Sequence, residues 1–326
     1  MDADNDTLWD LGLPPGLMEA PREFDAWAKK QLLIEQGEST PGEPLYHYTG
    51  EASLRGILTG QRLWSFSHLH QSDPTEFEYA LAVARRVIRE IGESNDFFTH
   101  HFCGCLDDML EVNALAGPFD FYLFSLSRHR DHAPQWRYGE DGHGYAIGFA
   151  PSLFQPDRSD LYEDANKNLH IGRVVYGEEA TAARHRVPIA RAAEITSRVG
   201  RAHIELVRKV SPAHYLATMA HELLASQLIW NCLTAKHMRY ADEQEVRCIM
   251  MNTKSKFDAW RCVHAGRNYV EHEMPLKTPG SIAEILVGPH APLDAEAGVR
   301  ALLSAQGYPA SVPVRRSLVA LQSSIS

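Results

Sequence analysis

The sequence predicts an α+β protein: a central mixed sheet flanked by helices, entered through an N-terminal helical extension. Segments with strand alternation, such as Arg62–Ser67 and Phe121–Ser127, are interleaved with segments of helical spacing. The two kinds do not follow the strict strand–helix–strand order that a doubly wound parallel sheet requires. A long helical block, about residues 190–233, interrupts the series, and further strands follow it. At 326 residues and 44% hydrophobic content, the chain can bury a sizeable core.

Residues 1–43 read as the extension. Two Pro/Gly-rich stretches, "LPPGLMEAPREF" and "GESTPGEP", bracket "FDAWAKKQLLIEQG". There Phe24, Trp27, Leu32 and Ile34 take the apolar positions of a helix, and Gly37 suits its C-cap. Residues 44–326 read as one α+β domain carrying the helical insertion. It opens with "LYHYTG", a strand and a turn. "EASLRGILTG" follows as a short helix with Leu54, Ile57 and Leu58 on one face. "RLWSFS" alternates Leu63, Ser65 and Ser67 against Trp64 and Phe66. In "SDPTEFEYALAVARRVIREIG", Ser72 or Asp73 is the expected cap and Pro74 the first helical residue. Phe77, Leu81, Ala84, Ile88 and Ile91 make its apolar stripe. Strands are expected over 121–127, 144–149, 173–177, 245–251, 283–289 and 311–316, with a helix over "PLDAEAGVRALLSAQG". The helical block should break at Ser211-Pro212.

A formal charge of −10 argues against a global field attracting nucleic acid, although a local basic cleft stays open. No apolar run reaches the roughly 18 residues of a membrane helix. The acidic start "MDADNDTLWDLG" does not resemble a secretory signal. Five cysteines fit free thiols in a reducing, cytoplasmic compartment better than a disulfide framework.

Five constellations carry candidate chemistry. His47, between Tyr46 and Tyr48 and followed by Thr49, is either a packed core histidine or a hydrogen-bonding group for a sugar hydroxyl. In "YADEQEVRCIM", Glu243 and Glu245 would share one strand face with Arg247, while Val246 and Cys248 point away. That trio is either a salt bridge or a place where a carboxylate stabilises positive charge on a sugar. The loop "SLSRHRDHAPQWRYGEDGHGYAIGF" crowds Ser125, Ser127, Arg128, His129, Arg130, His132, Trp136, Arg137 and Tyr138 between two strands, where functional groups concentrate. "THHFCGC" supplies His100, His101, Cys103 and Cys105, but lacks the paired spacing of structural zinc sites, so no metal is expected. "HELLA" has Ala225 where a zinc protease needs its second histidine.

Four blocks occur in a fixed order: "LYHYTGEASLRGILTGQRLWSFSHLHQSDPTEFE", "FSLSRHRDHAPQWRYGEDGHGYAIGF", "KHMRYADEQEVRCIM" and "IAEILVGPHA". The chain thereby resembles the bacterial family catalogued as domain of unknown function 2971, over about residues 45–316. It departs from that family at Ser72-Asp73-Pro74, where Asn-Asp-Pro is usual. The order of a His-Tyr-Thr strand, a middle serine or aromatic strand and a late Glu-x-Glu strand is also similar to the three-part signature of ADP-ribosyltransferases. That resemblance implies a split mixed sheet holding NAD, with no metal. It implies that His47 bonds the adenosine ribose, that Tyr48, Thr49 and Arg247 line the groove, and that Ser127 sits on the middle strand. Trp136 or Tyr138 would stack near the nicotinamide. Glu245 would be the catalytic carboxylate, and Glu243 would activate or select the acceptor.

The expected function is therefore NAD-dependent ADP-ribosyl transfer by a toxin or anti-phage effector, onto a protein or nucleic-acid acceptor. The N-terminal helix would be the surface for an antitoxin or defence partner. A non-enzymatic module that senses a nucleotide or phage component is the alternative. A metal-dependent nuclease or hydrolase, drawing on the 17 histidines, is a third.

Overall fold

A computed structural model describes residues 12–39, 42–71, 73, 75–110, 119–154, 169–254, 258 and 260–319. It is a mixed α/β structure with a large mixed sheet, flanking helices and an N-terminal helix. The chain divides into two compact units. One takes residues 1–34, 75–117 and 175–238; the other takes 35–74, 118–174 and 239–326.

The first unit is mainly helical. It contains most of α1 (Pro15–Ser39), then α3 (Glu76–Gly92), α4 (Phe97–Met109), α5 (Glu178–Ala202), α6 (Ile204–Val210), α7 (Pro212–Leu223) and α8 (Ile229–Leu233). Two short strands, β6 (Val175–Tyr176) and β7 (Ala235–Lys236), pair in parallel. The expected break falls at Ser211, whose φ of +89° is closed to a helical L-residue, just before Pro212. On α3 the buried stripe keeps Leu81, Ala84 and Ile88 and adds Ala80, Val83 and Val87, while Phe77 and Ile91 at its expected ends are only partly buried. The cap of α3 also differs. Thr75 occupies the N-cap and makes no side-chain bond there, while Ser72 and Pro74 lie outside the described residues. Asp73 instead accepts from the Tyr240 hydroxyl at 2.8 Å and from Arg239 at 2.6 Å, both in the second unit with it.

α4 was not anticipated as a helix. Asp96 caps it by accepting from the Thr99 amide at 3.0 Å. Its histidines are used locally: His100 donates to the Gly92 carbonyl and His101 to the Phe97 carbonyl. Burial pushes the Cys103 thiol up to about 12. Among the described residues, no three His, Cys, Asp or Glu side chains form a group that could hold a metal ion.

The second unit holds the sheet. Its strands are β1 (Leu45–Thr49), β2 (Arg62–Ser67), β3 (Phe119–Ser127), β4 (Tyr145–Phe149), β5 (His170–Arg173), β8 (Glu245–Thr253), β9 (Cys262–His264), β10 (Arg267–Glu273), β11 (Ile282–Val287) and β12 (Val314–Arg316). All pairings in it are antiparallel except β11 with β12. The long strand β3 is the branch point. β8 pairs with it along its whole length, from Phe119↔Thr253 to Ser127↔Glu245, and β5 follows β8. The opposite edge of β3 is shared. β1 meets it at Tyr46↔Ser127, whereas β2 meets it at Phe66↔Leu123 and Ser67↔Tyr122. The sheet therefore forks into a β1–β4–β11–β12 wing and a β2–β10–β9 wing.

Apolar side chains fill one face, including Leu45, Leu63, Phe124, Leu126, Ile147, Val246 and Cys248. α2 (Glu51–Gly60) adds Leu54, Ile57 and Leu58, as its periodicity required. The hairpin of β9 and β10 was not foreseen. Its signal lies in Ala265 and Gly266, whose positive φ values of 47° and 76° give the turn twist that suits a tight hairpin. α1 runs past the expected cap at Gly37 to Ser39. There the Ser39 hydroxyl accepts from the Arg173 amide at 2.8 Å, so the last turn covers part of the open edge of β5.

Backbones of the 142–144 and 288–290 segments touch: Gly288 donates to the Gly144 carbonyl and His290 to the Gly142 carbonyl. A Cβ on Gly288 would sit 2.1 Å from the Gly142 oxygen. Gly288→Ala is therefore expected to cost about 1–3 kcal/mol or more, read as a lower urea midpoint; an unchanged midpoint would refute this contact.

Candidate functional site

Several of the residues that the sequence singled out gather where the 128–143 loop meets the end of β3 and the start of β8. Tyr46, Ser127 and Glu245 lie in one cross-strand row of β1, β3 and β8. The buried Ser127 hydroxyl donates to the Glu243 carbonyl at 2.8 Å and accepts from the His129 amide at 3.1 Å. Gln135 donates to the same Glu243 carbonyl at 3.0 Å. The Tyr138 hydroxyl donates to Glu243 Oε1 at 2.7 Å. Tyr138 is 40% exposed while Glu243 is buried, so the phenol covers a carboxylate at the protein surface.

Glu243 and Glu245 do not share a strand. Glu243 ends a short 3₁₀ turn, Met238–Glu243, and Gln244 has a φ of +41°. A left-handed residue breaks the two-residue period on which the shared-face expectation rested. β8 begins only at Glu245. From there the expected alternation resumes: Arg247 lies on the Glu245 face, and Val246 and Cys248 enter the apolar core. Arg247 Nε donates to Glu245 Oε1 at 2.9 Å and Nη2 to Oε2 at 3.1 Å. Both side chains are buried, Arg247 at 2% exposure, so this is an internal two-pronged ion pair.

Tyr48 and Trp136 build the floor under the loop. Their rings meet edge-on at 5.0 Å. The Tyr48 hydroxyl donates to the His129 carbonyl at 3.0 Å and accepts from the His132 amide, and burial raises its pKa. Trp136 is fully buried and donates from Nε1 to Asp131 at 2.8 Å, so its ring faces are taken by packing. Of the two aromatics expected to stack on a ligand, Tyr138 alone has an open surface. Thr49 is buried at the end of β1.

His47 stands apart. Alternation along β1 sends it to the face opposite Tyr46 and Tyr48, where it stacks on Phe124 at 4.3 Å. Its Nδ1–H donates to the Ser125 carbonyl at 3.0 Å, inside the stretch of β3 between its β1 and β2 partners. The imidazole thus supplies a bond beside the fork. That bond fixes the tautomer with the lone pair on Nε2, and burial lowers the pKa to about 4, so the ring is neutral at pH 7. His47 and Glu245 therefore project from opposite faces of the sheet.

Two contributors escaped the sequence reading. Gln135 and Asp131 look like ordinary loop polar residues, and their roles come from the fold. His129 and His132 were visible as part of a crowded loop, but not as a stacked pair with centroids 4.2 Å apart.

A family model described as protein of unknown function (DUF2971) matches residues 135–248. No curated protein and no solved structure matches the chain. The DUF2971 match begins at Gln135 in the loop and ends at Cys248 on β8. It spans Trp136, Tyr138, Glu243, Glu245 and Arg247, while His47, Thr49 and Ser127 fall outside it. Among the described residues no helix is long and apolar enough to cross a membrane.

Proposed function

We propose that the chain is an NAD-dependent ADP-ribosyltransferase, acting in the bacterial cytoplasm as a toxin or anti-phage effector on a protein or nucleic-acid acceptor. The observation that carries this reading is the convergence of Ser127, Tyr138, Glu243 and Glu245 at the head of the β3–β8 pair. Nicotinamide leaves as a neutral group from a cationic glycoside, so the reaction needs no strong acid. It needs a fixed carboxylate near the ribosyl cation and a flat group beside the departing ring. Glu243, partnered by a surface phenol, is the carboxylate that meets the sugar. Glu245, already joined to Arg247, positions the strand head. Tyr138 is the stacking aromatic.

NAD labelled on the adenylate phosphate, incubated with the protein and separately with lysate protein, total RNA and DNA, tests this. Label should pass to one fraction and fall about 100-fold or more with Glu243→Gln. Absence of NAD consumption in every arm would overturn the reading.

Two observations favour a second reading, a nucleotide-sensing module without turnover. His47 and Glu245 lie on opposite sheet faces, and Trp136 is closed to a ligand. Saturable NAD binding by calorimetry with the nucleotide recovered intact would select it.

A further inference from the structure

In the loop that follows β3, with Asp242 acting on one of its rings, lies a pair of imidazoles to which the proposed reaction gives no role. His129 and His132 stack with centroids 4.2 Å apart and planes 21° from parallel. Three bonds fix the backbone that carries them: His129 N–H to Ser127, Tyr48 hydroxyl to the His129 carbonyl, and His132 N–H to the Tyr48 hydroxyl. Ser127 in turn donates to the Glu243 carbonyl, so the Ser127 hydroxyl ties the His129 backbone to the Glu243 backbone. Both rings are half-buried. The buried Nδ1 of His132 finds no hydrogen-bond partner among the described residues.

We propose that His129 is the base that takes the proton of the acceptor nucleophile, with His132 as the positioning residue stacked against it. The inference rests on the transferase reading and assigns a step within it. The bond between ribose C1 and the nicotinamide nitrogen breaks, its electron pair neutralising the pyridinium. The acceptor's lone pair bonds to C1, and its proton passes to the unprotonated nitrogen of His129, which later releases it to water.

A base must be neutral when the acceptor arrives. Burial and the neighbouring His132 lower the His129 pKa, Arg128 acts in the same direction, and Asp242 opposes them. Two stacked imidazoles resist carrying two protons at once. His129 thus stays available as a base at neutral pH.

The test compares wild type, His129→Asn and His132→Asn in the full chain, with labelled NAD and lysate protein, RNA or DNA. Transfer and NAD hydrolysis are read separately from pH 5 to 8. His129→Asn should lower transfer at least tenfold while sparing hydrolysis by water, and thermal melting should show an intact fold. His132→Asn should keep transfer but move its acidic limb to higher pH, as the remaining imidazole becomes easier to protonate. Histidine NMR titration should show the same rise for His129. Equal transfer by wild type and His129→Asn would overturn the inference and leave the transferase standing. A wild type that consumes no NAD would overturn the transferase reading itself.

Discussion

Replacing Arg247 with methionine is expected to destabilise the sheet unit by about 3–5 kcal/mol, enough to leave many domains of this kind unfolded at 37 °C. Methionine matches much of the length of the arginine stem, so the loss is chiefly one of charge. It takes the guanidinium away from a Glu245 carboxylate in a site where only 5% of the residue meets solvent. The desolvation cost of that carboxylate remains when its two guanidinium bonds, at 2.9 and 3.1 Å, are gone. Glu245→Gln leaves the reverse problem, a buried guanidinium facing an amide, and should also destabilise. The double variant Glu245→Gln/Arg247→Met removes both charges and should recover most of the loss. A urea series on the four proteins reads this directly. A stable Arg247→Met single variant would mean that water or another group compensates Glu245. The cycle also decides how catalytic mutants are to be read. Lost NAD turnover in Glu245→Gln alone says little, because the pair holds the start of β8. Glu243→Gln changes a carboxylate bonded to a surface phenol and does not alter either member of the Glu245–Arg247 pair, so it is the sharper test of the proposed transfer.

Local periodicity made most elements legible. Leu54, Ile57 and Leu58 on α2, the alternation of Arg62–Ser67, and the break at Ser211-Pro212 are properties of short windows, and the structure reproduces them. The branch at β3 is not such a property. It depends on β1 and β2 competing for one strand edge, and only the resemblance to a split-sheet family suggested it. The site was legible as a set of residues but not as a geometry. Ser127 and Tyr138 both bond to Glu243, and Ser127 pairs with Glu245 across the strands. The shared face of Glu243 and Glu245 failed on one left-handed residue, Gln244, whose conformation no glycine or asparagine announced. His47 failed on parity: alternation on β1 puts it opposite Tyr46 and Tyr48, and the faces of different strands can be compared only once register is known. Trp136 and Tyr138 could not be separated in sequence, since burial alone distinguishes them.

Acid should unfold this protein well above the range where carboxylates titrate. Burial lowers the pKa of His47, His170 and His272 to about 4 and that of His185 to about 3, from an ordinary 6.5. A group with a depressed folded pKa binds more protons when unfolded. The stability it lends is therefore complete above pH 6.5 and is lost as pH falls towards 4. Each such histidine steepens the dependence by up to about 1.4 kcal/mol per pH unit within that window. Three of the four lie in the sheet unit, so its unfolding near pH 5 should take up about three protons. The carboxylates act lower. Asp96, Asp107 and Glu284 are held below their ordinary range by arginine and hydroxyl partners, so their contribution goes only as pH falls below about 4. Urea midpoints between pH 7 and 4.5 should fall steeply, and a flat profile there would sink the argument. His272→Leu gives the sharper check. His272 is 2% exposed and neither ring nitrogen finds a partner among the described residues, so leucine removes an uncompensated polar group. The variant should be at least as stable as the parent at pH 7, and its midpoint should decline less steeply towards pH 4.5, by about one proton.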